Sequence, residues 1–308
     1  MSPAVTLLGP QRRPTVDHAL AGVEPDAAIA TVTAGWQERE HDDDELQGLL
    51  GGRGVNLTLH ERWLDVLERD PEYAVAEREH RTVLDELQQF YQLRLDHALR
   101  ATYAVAQRHD GHPRTREAAL ADALAVVNVV DQQHVARVRE VHQAFYEAWR
   151  PHERDEVAEH RESVRSVLAS SAALVVAGGH VGELVRVLHL FHVAPHLPAR
   201  VIAWSAGAMA LTERVVLFHD RAPQGPAHTE VYDEGLGVVH GMVLLPHARR
   251  RLYVDDLTRM GVLARRFAPA RCVVLDDGVR VDLTDRGGLP PGSRVLGTDG
   301  RITSLEDA

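Results

Sequence analysis

The chain has 308 residues, of which 44% are hydrophobic and 26% are charged, and its formal net charge is −11. That charge argues against a general nucleic-acid binder, which needs cationic surface for phosphates. The lack of a long apolar run argues against a membrane span. The first residues lack the basic start, apolar stretch and cleavage site of a secretory signal, so we expect none. The one cysteine, Cys272, excludes an internal disulfide, so we expect a reducing, cytoplasmic location.

The first 60 residues predict short strands followed by a helix. The runs 4–9 and 27–35 are apolar, contain β-branched residues and end at a glycine, which is typical of strands that end in a turn. The stretch 41–50 places acidic residues ahead of its leucines, as at the capped start of a helix. These elements begin one predicted α/β domain that spans residues 1–308.

A helical hairpin is predicted over residues 60–170. No glycine or internal proline interrupts 71–110, and apolar side chains recur there at steps of three and four, the spacing of one helix face. The sequence 110–113 ends this helix, and a second periodic stretch runs to Pro151. A shorter charged helix over 152–171 serves as the connector. Short connections favour antiparallel packing, and we expect a homo-oligomer that forms through a partly exposed face of the hairpin.

After residue 170 the pattern predicts strands that alternate with helices. Helical periodicity covers 181–191 and 250–267. β-like runs occur at 172–179, 199–205, 237–247 and 270–278. This alternation predicts an α/β fold with a mainly parallel sheet sandwiched by helices, into which the hairpin is inserted. The tail beyond 278 predicts short antiparallel strands with a tight turn at 298–301.

The stretch 201–211 reads VIAWSAGAMAL and places Ser205 between an apolar run and small residues. Such a stretch is either the strand-to-helix turn that exposes a nucleophile or only a strand that ends in Ser-Ala-Gly. In the first case, the N–H of Ala206 points to where an oxyanion would form.

Three further strand ends can complete such a site. Gly178 and Gly179 follow one strand, and they supply either backbone amides to an oxyanion hole or a tight turn. His247 ends a second strand, a position suited to a general base. Asp276 and Asp277 end a third strand, where a carboxylate can orient the imidazole or simply belong to a turn.

The chain order is serine, histidine and then aspartate, whereas an α/β-hydrolase places its acid before its histidine. The four segments instead resemble the S51 serine peptidases, the family of dipeptidase E and cyanophycinase, whose fold is similar to that of class I glutamine amidotransferases. Residues 203–208 match five of the six positions of that family's Gly-Trp-Ser-Ala-Gly-Ala elbow, with Ala203 at the first position. The resemblance covers about residues 172–305, with a weaker match over 4–59.

The other three segments carry the same resemblance. The pair Gly178-Gly179 corresponds to the family's Gly-Gly, and residues 235–237 correspond to a glycine-leucine-glycine run that leads to the catalytic histidine, here His247. Residues 274–277 are similar to the family's Gly-Ile-Asp-Glu segment, with aspartate in place of the glutamate. The chain departs from cyanophycinases next to these motifs, as at Ala248, where those proteins have phenylalanine.

The resemblance implies a serine hydrolase of peptidase type that cleaves a small peptide or an isopeptide-like amide bond. It implies Ser205 as the nucleophile and His247 as the base, oriented by Asp277 or Asp276. The oxyanion hole would consist of amides at Gly178, Gly179 and Ala206. Candidate substrate-binding residues are Trp204, His180, Arg249 and Arg251. We predict no metal or cofactor.

A non-catalytic binding or scaffold protein on the same fold is the alternative. It is motivated by the large helical region 60–170 and by the missing cyanophycinase-type binding residues. Transfer of glutamine-derived ammonia is disfavoured, because class I glutamine amidotransferases have cysteine at the elbow. The single cysteine here, Cys272, lies in the strand that carries the acids.

Overall fold

A computed structural model describes residues 3–11, 14–220 and 228–306. The strands are β1 (Ala4–Leu8), β2 (Ile29–Val32), β3 (Gly54–Asn56), β4 (Ala173–Val176), β5 (Arg200–Trp204), β6 (Arg214–Leu217), β7 (Glu230–Glu234), β8 (Met242–Pro246), β9 (Arg271–Leu275), β10 (Arg280–Asp282), β11 (Arg294–Leu296) and β12 (Ile302–Ser304). The α-helices are α1 (Val16–Ala19), α2 (Asp44–Leu49), α3 (Leu59–Arg69), α4 (Pro71–Ala106), α5 (Pro113–Trp149), α6 (Asp155–Ser170), α7 (Val181–Leu190), α8 (Ala206–Ala210), α9 (Ala248–Arg251) and α10 (Leu257–Phe267).

The central sheet has six strands in the order β10-β1-β5-β4-β2-β3. All neighbouring strands run parallel except β10, which pairs antiparallel with β1. Each residue of β4 is buried, because apolar side chains cover both faces of a parallel sheet. The predicted α/β class with a mostly parallel central sheet is therefore confirmed.

The strands β8 and β9 lie outside this sheet. They pair parallel with each other and join β11 and β12 in a separate four-stranded sheet, whereas the sequence predicted one mainly parallel sheet. The reason is that β10 occupies the edge of the central sheet beside β1. The two sheets still meet at their carboxyl ends, where a Cβ on Gly9 would lie 2.0 Å from the carbonyl oxygen of Asp276.

A two-stranded antiparallel ribbon of β6 and β7 was not predicted. Its strands alternate little in polarity, and β7 contains three acidic residues. This composition did not indicate a strand. The ribbon lies between the α/β part of the molecule and the hairpin. Its strand β6 contacts α8 and β8, and its strand β7 contacts α4 and α5.

The hairpin consists of α4 and α5, close to the predicted boundaries. Asp70 caps α4 by accepting the N–H of Tyr73, with Pro71 at the first helical position, where its missing donor costs nothing. The 36 residues of α4 span roughly 54 Å at about 1.5 Å per residue. Of the helices in the described ranges, none combines the length and apolarity needed to cross a membrane.

A buried polar network fastens the hairpin to the rest of the molecule. The guanidinium of Arg266 on α10 is 1% exposed and donates to both carboxylate oxygens of Asp131 on α5. The hydroxyl of Tyr91 on α4 donates to Asp131 at 2.8 Å and accepts the N–H of Val231 on β7 at 3.0 Å. Two helices of the hairpin, α10 and β7 therefore share one set of hydrogen bonds.

Candidate active site

Ser205 occupies a sharp turn between β5 and α8, with φ 50° and ψ −118°. A non-glycine residue there costs about 1–3 kcal/mol and persists only where its surroundings enforce it. Tight packing does so here. A Cβ on Gly207 would lie 2.5 Å from the carbonyl oxygens of Val176 and Ala177, and one on Gly178 would lie 3.1 Å from Cβ of Ser205. This is the backbone geometry of a nucleophile elbow.

Gln37 has almost the same backbone conformation, with φ 56° and ψ −123°. It lies within the 3-10 segment Ala34–Arg39, which follows the carboxyl end of β2 in the same sheet. The strained turn is therefore not unique to Ser205. What distinguishes Ser205 is that an α-helix starts directly after it, whereas a short 3-10 turn follows Gln37.

Two backbone N–H groups belong to residues next to this turn: Ala206 follows Ser205, and Gly179 follows Gly178, which packs against Cβ of Ser205. Gly179 has φ +124°, and a Cβ there would lie 2.3 Å from the carbonyl oxygen of Gly35, so that only glycine fits. Within the described ranges, the N–H of Gly179 donates to no backbone carbonyl. Ala206 begins α8, and the first N–H groups of a helix have no intrahelical partner. Both amides can therefore donate to an oxyanion.

His247 follows β8 in the left-handed region, with φ 56° and ψ 33°. Its N–H donates to the carbonyl of Leu275 at 3.2 Å, which places it beside the carboxyl end of β9. The side chain is 20% exposed, and its Nδ1 lies 3.9 Å from Oδ1 of Asp277. This is an ion-pair distance that is too long for a hydrogen bond.

The two aspartates after β9 have different partners. Asp276 accepts the N–H of Arg249 at 3.2 Å, and its Oδ2 lies 3.5 Å from Nε of the same arginine and 3.9 Å from Arg294. Asp277 is the one that faces His247. The sequence left this choice open, because two adjacent residues at a strand end differ only in the direction of their side chains.

Ser205 and His247 lie at the carboxyl ends of adjoining sheets. The N–H of Ser205 donates to the carbonyl of Leu8 at 3.3 Å, and the next residue, Gly9, packs against the backbone of Asp276. In the part of the chain that the structure describes, Oγ of Ser205 has no hydrogen-bond partner. The two residues therefore share one edge of the molecule, but the serine–histidine hydrogen bond is not formed.

The four candidate substrate-binding residues have different surroundings. Trp204 is 8% exposed and packs beside Gly178, so its ring supports the turn. His180 caps α7, with Nδ1 accepting the N–H of Glu183 at 3.1 Å. The side chain of Arg249 is 67% exposed, whereas the guanidinium of Arg251 lies over the ring of Phe218 at 5.9 Å.

A cavity of about 780 Å³ lies between the hairpin and α7. We call it the hairpin cleft. Residues from the hairpin, α6, α7, β7 and the segment after β2 line it, including Tyr73, His142, Arg161, His180, Tyr232 and Gln37. No local sequence pattern indicates this cavity, because its walls come from separate parts of the chain.

A second cavity, of about 700 Å³, includes Met242 and Arg271 in its wall. These residues begin β8 and β9, so it lies at the ends of the strands opposite to His247. The hairpin cleft, by contrast, contains His180, which directly follows Gly178-Gly179. Of these two cavities, the hairpin cleft is thus the one that adjoins the candidate site.

Charged side chains on the wall of the hairpin cleft form a compact network. Glu183 accepts from Arg186 and lies 2.6 Å from Nδ1 of His60. Burial raises the pKa of Glu183, but Arg186 and His60 outweigh it and hold that pKa below its ordinary value. The guanidinium of Arg186 also stacks on Trp63, 3.5 Å from the ring centre, and contacts Glu77 at 3.2 Å.

Neither a metal centre nor a reactive thiol emerges from the described residues. Within them, no three side chains of His, Cys, Asp or Glu are grouped to hold a metal ion. Cys272 is buried, and burial raises the pKa of its thiol to about 12. A thiol with that pKa is not a nucleophile near neutral pH.

No family model matches the chain, and a search of the curated proteins found no match. Among solved structures, the crystal structure of a peptidase from an acI-B1 Actinobacterium is similar, with a TM-score of 0.46 and 11% sequence identity. The alignment covers 99% of this chain and 95% of that one. The function is therefore inferred from the site itself.

Proposed function

We propose that the protein is a serine hydrolase of peptidase type, similar to the S51 peptidases, that cleaves an amide bond in a small peptide. The observation that carries the proposal is the strained turn at Ser205, which is packed so closely that Gly207 admits no side chain and a Cβ on Gly178 would press on Ser205. Strain of this kind clusters at functional sites. The adjacent amides of Gly179 and Ala206 supply what a serine nucleophile needs for its oxyanion.

The chemistry assigns one role to each group. Oγ of Ser205 attacks the amide carbonyl while His247 takes its proton, and the N–H groups of Gly179 and Ala206 stabilise the oxyanion. His247 then gives the proton to the leaving amine, and water releases the acyl group by the same steps in reverse order. Asp277, which faces Nδ1 at 3.9 Å, orients the imidazole and stabilises its cation.

The side chains of the site must rearrange before it can react. The Asp277 carboxylate must approach His247 from 3.9 Å, and the imidazole must reach Oγ of Ser205. Catalytic hydrogen bonds are often long in the absence of substrate and tighten in the complex. Because the side chain of Asp277 is 61% exposed, a change of rotamer is sterically open to it.

We also propose that the protein is cytoplasmic and that it forms a homo-oligomer through the hairpin. The oligomer is supported by large apolar side chains that are exposed on α4 and α5: Phe90 by 65%, Leu93 by 62%, Val126 by 56% and Val129 by 48%. Contiguous exposed apolar surface commonly marks an interaction site. Sedimentation of the full chain, compared with a Phe90→Asp/Leu93→Asp variant, tests this; a wild-type monomer contradicts it.

A screen of small peptides tests the hydrolase. It should include Asp-X and β-aspartyl dipeptides and compare the wild type with Ser205→Ala and with Ser170→Ala, which alters an exposed serine on α6. We expect cleavage of at least one peptide by the wild type and by Ser170→Ala, and none by Ser205→Ala. Unchanged turnover in Ser205→Ala would refute the assignment of the nucleophile.

The second candidate is a binding protein without catalysis. It is favoured by one observation, namely that Oγ of Ser205 has no hydrogen-bond partner within the described ranges. On this view the hairpin cleft binds a ligand and the turn at Ser205 is only structural. Tight binding of a peptide that the wild type leaves intact would favour this candidate.

A further inference from the structure

The hairpin cleft runs along α7 from the candidate site to a cationic end. His180 and Gly182 stand at the start of α7, beside Gly179, and Leu190 and His192 stand at its other end. The helix has 10 residues, so the two ends are roughly 15 Å apart at about 1.5 Å per residue. A volume of about 780 Å³ falls within the roughly 300–1,000 Å³ of small-molecule sites.

Arg161 supplies the charge at the far end. Its Nε donates to the carbonyl of Leu190 at 2.7 Å, and the side chain of Tyr146 lines the same cleft. In the described ranges, no carboxylate lies within ion-pair distance of Arg161. The other two arginines of the cleft, Arg81 and Arg186, each contact Glu77. Arg161 is thus the cleft arginine whose positive charge is not balanced by a carboxylate.

The carboxylates of the cleft are largely occupied. Glu77 and Glu183 bind Arg186, Asp233 contacts His142, and Glu234 contacts Arg139. The remaining one, Asp85, is exposed, where water screens its charge. The end of the cleft at Arg161 therefore favours an anion, and a guanidinium is best matched by a carboxylate.

We propose that the hairpin cleft binds the C-terminal segment of a peptide, with the terminal carboxylate on Arg161 and the bond to be cleaved at Gly179. An extended peptide advances about 3.3–3.6 Å per residue, so roughly 15 Å corresponds to about four residues. The substrate class is then a short peptide with a free C-terminus, cut about four residues before its end. The position of the cut rests on the function proposed above, whereas binding of the carboxylate does not.

Equilibrium binding tests the proposal apart from catalysis. Hexa-alanine and hexa-alanine amide, which extend beyond a cut four residues before the end, are titrated by calorimetry into Ser205→Ala, which holds the peptides uncut. The same titrations are made with Ser205→Ala/Arg161→Gln and with Ser205→Ala/Arg165→Gln as the matched control. Arg165 also lies on α6, but it is paired with Glu162 at the surface.

We expect the free acid to bind at least about tenfold more tightly than the amide in Ser205→Ala and in the Arg165 control, because only the acid offers Arg161 a carboxylate. Arg161→Gln should bring this ratio close to one while binding of the amide is retained, which shows that the cleft is still folded. A ratio that Arg161→Gln leaves unchanged, or no binding of either peptide, overturns the proposal. A preserved ratio without hydrolysis by the wild type rejects the hydrolase alone.

Discussion

At the scale of single residues, the site depends on backbone positions that admit only certain side chains. Ser205 holds a strained conformation because Gly178 packs against it and Gly207, at the start of α8, packs against the backbone at the end of β4. The sequence could indicate Ser205 and His247, since both directly follow apolar runs that end in a turn. It could not indicate the strained backbone at Gln37, because the preceding Thr-Ala-Gly-Trp is not a pattern tied to positive φ.

Gly178→Ala should slow the reaction of Ser205. The new Cβ would lie 3.1 Å from Cβ of Ser205 and 3.3 Å from the ring of Trp204, so the serine or the ring must shift by a few tenths of an ångström. Labelling by a fluorophosphonate probe measures this, and we expect at least about a tenfold slower reaction, since a misplacement near 1 Å can cost about a hundredfold. Gly48→Ala is the matched control, because its Cβ would meet nothing within 4 Å. Equal labelling of both variants would contradict the described packing.

At the scale of elements, the hairpin was the most predictable part and its attachment the least. The spacing of apolar residues predicted both long helices, because one face of each must be buried. The network of Asp131, Tyr91 and Arg266 joins residues on three helices, and charged residues are usually taken as exposed. No local pattern therefore indicated it.

Asp131→Ala should destabilise the protein by about 3–5 kcal/mol, because it leaves the buried guanidinium of Arg266 without its carboxylate. Urea unfolding followed by circular dichroism measures the free energy of unfolding. Glu140→Ala on the same helix is the control, since Glu140 is 62% exposed and pairs with Arg137 at the surface, and it should change stability by less than about 1 kcal/mol. A loss of under about 1 kcal/mol in Asp131→Ala would show that the network contributes little.

The hairpin should also weaken in acid. Burial lowers the pKa of His80 to about 4, helped by the charge of His142 and opposed by Asp233. This value lies below the ordinary histidine pKa of about 6.5. Between about pH 4 and 6.5, His80 therefore binds a proton more readily in the unfolded chain than in the folded protein. The stability that depends on His80 being neutral in the folded protein is fully present above about pH 6.5 and is lost as the pH falls towards 4.

His80→Phe should reduce this pH dependence while keeping the stack on Phe145, whose ring centre lies 4.2 Å away. Thermal unfolding between pH 7 and 4.5 measures the effect as the fall in the melting temperature. We expect a smaller fall in His80→Phe than in the wild type. His109→Phe, at an exposed position, should behave as the wild type does. The same fall in all three proteins would mean that His80 is not buried as described.

At the scale of the whole molecule, the α/β class followed from alternating strand and helix patterns, but the division into two sheets did not. A buried parallel strand such as β8 or β9 needs an apolar sequence in either sheet, so its sequence does not show which sheet it joins. Their placement depends on β10, a three-residue strand that takes the edge beside β1. A close approach of Gly9 and Asp276 then joins the sheets and brings His247 to the edge that holds Ser205.

The central claim is that Ser205 is an activated nucleophile, and covalent labelling tests it most directly. The wild type, Ser205→Ala and His247→Ala are incubated with a fluorophosphonate probe, and mass spectrometry of the digested protein locates the adduct. We predict a single adduct on Ser205 in the wild type, none in Ser205→Ala, and labelling slowed at least about a hundredfold in His247→Ala, since a general base contributes about 10²–10⁴-fold. An unlabelled Ser205 in the folded wild type would contradict the account.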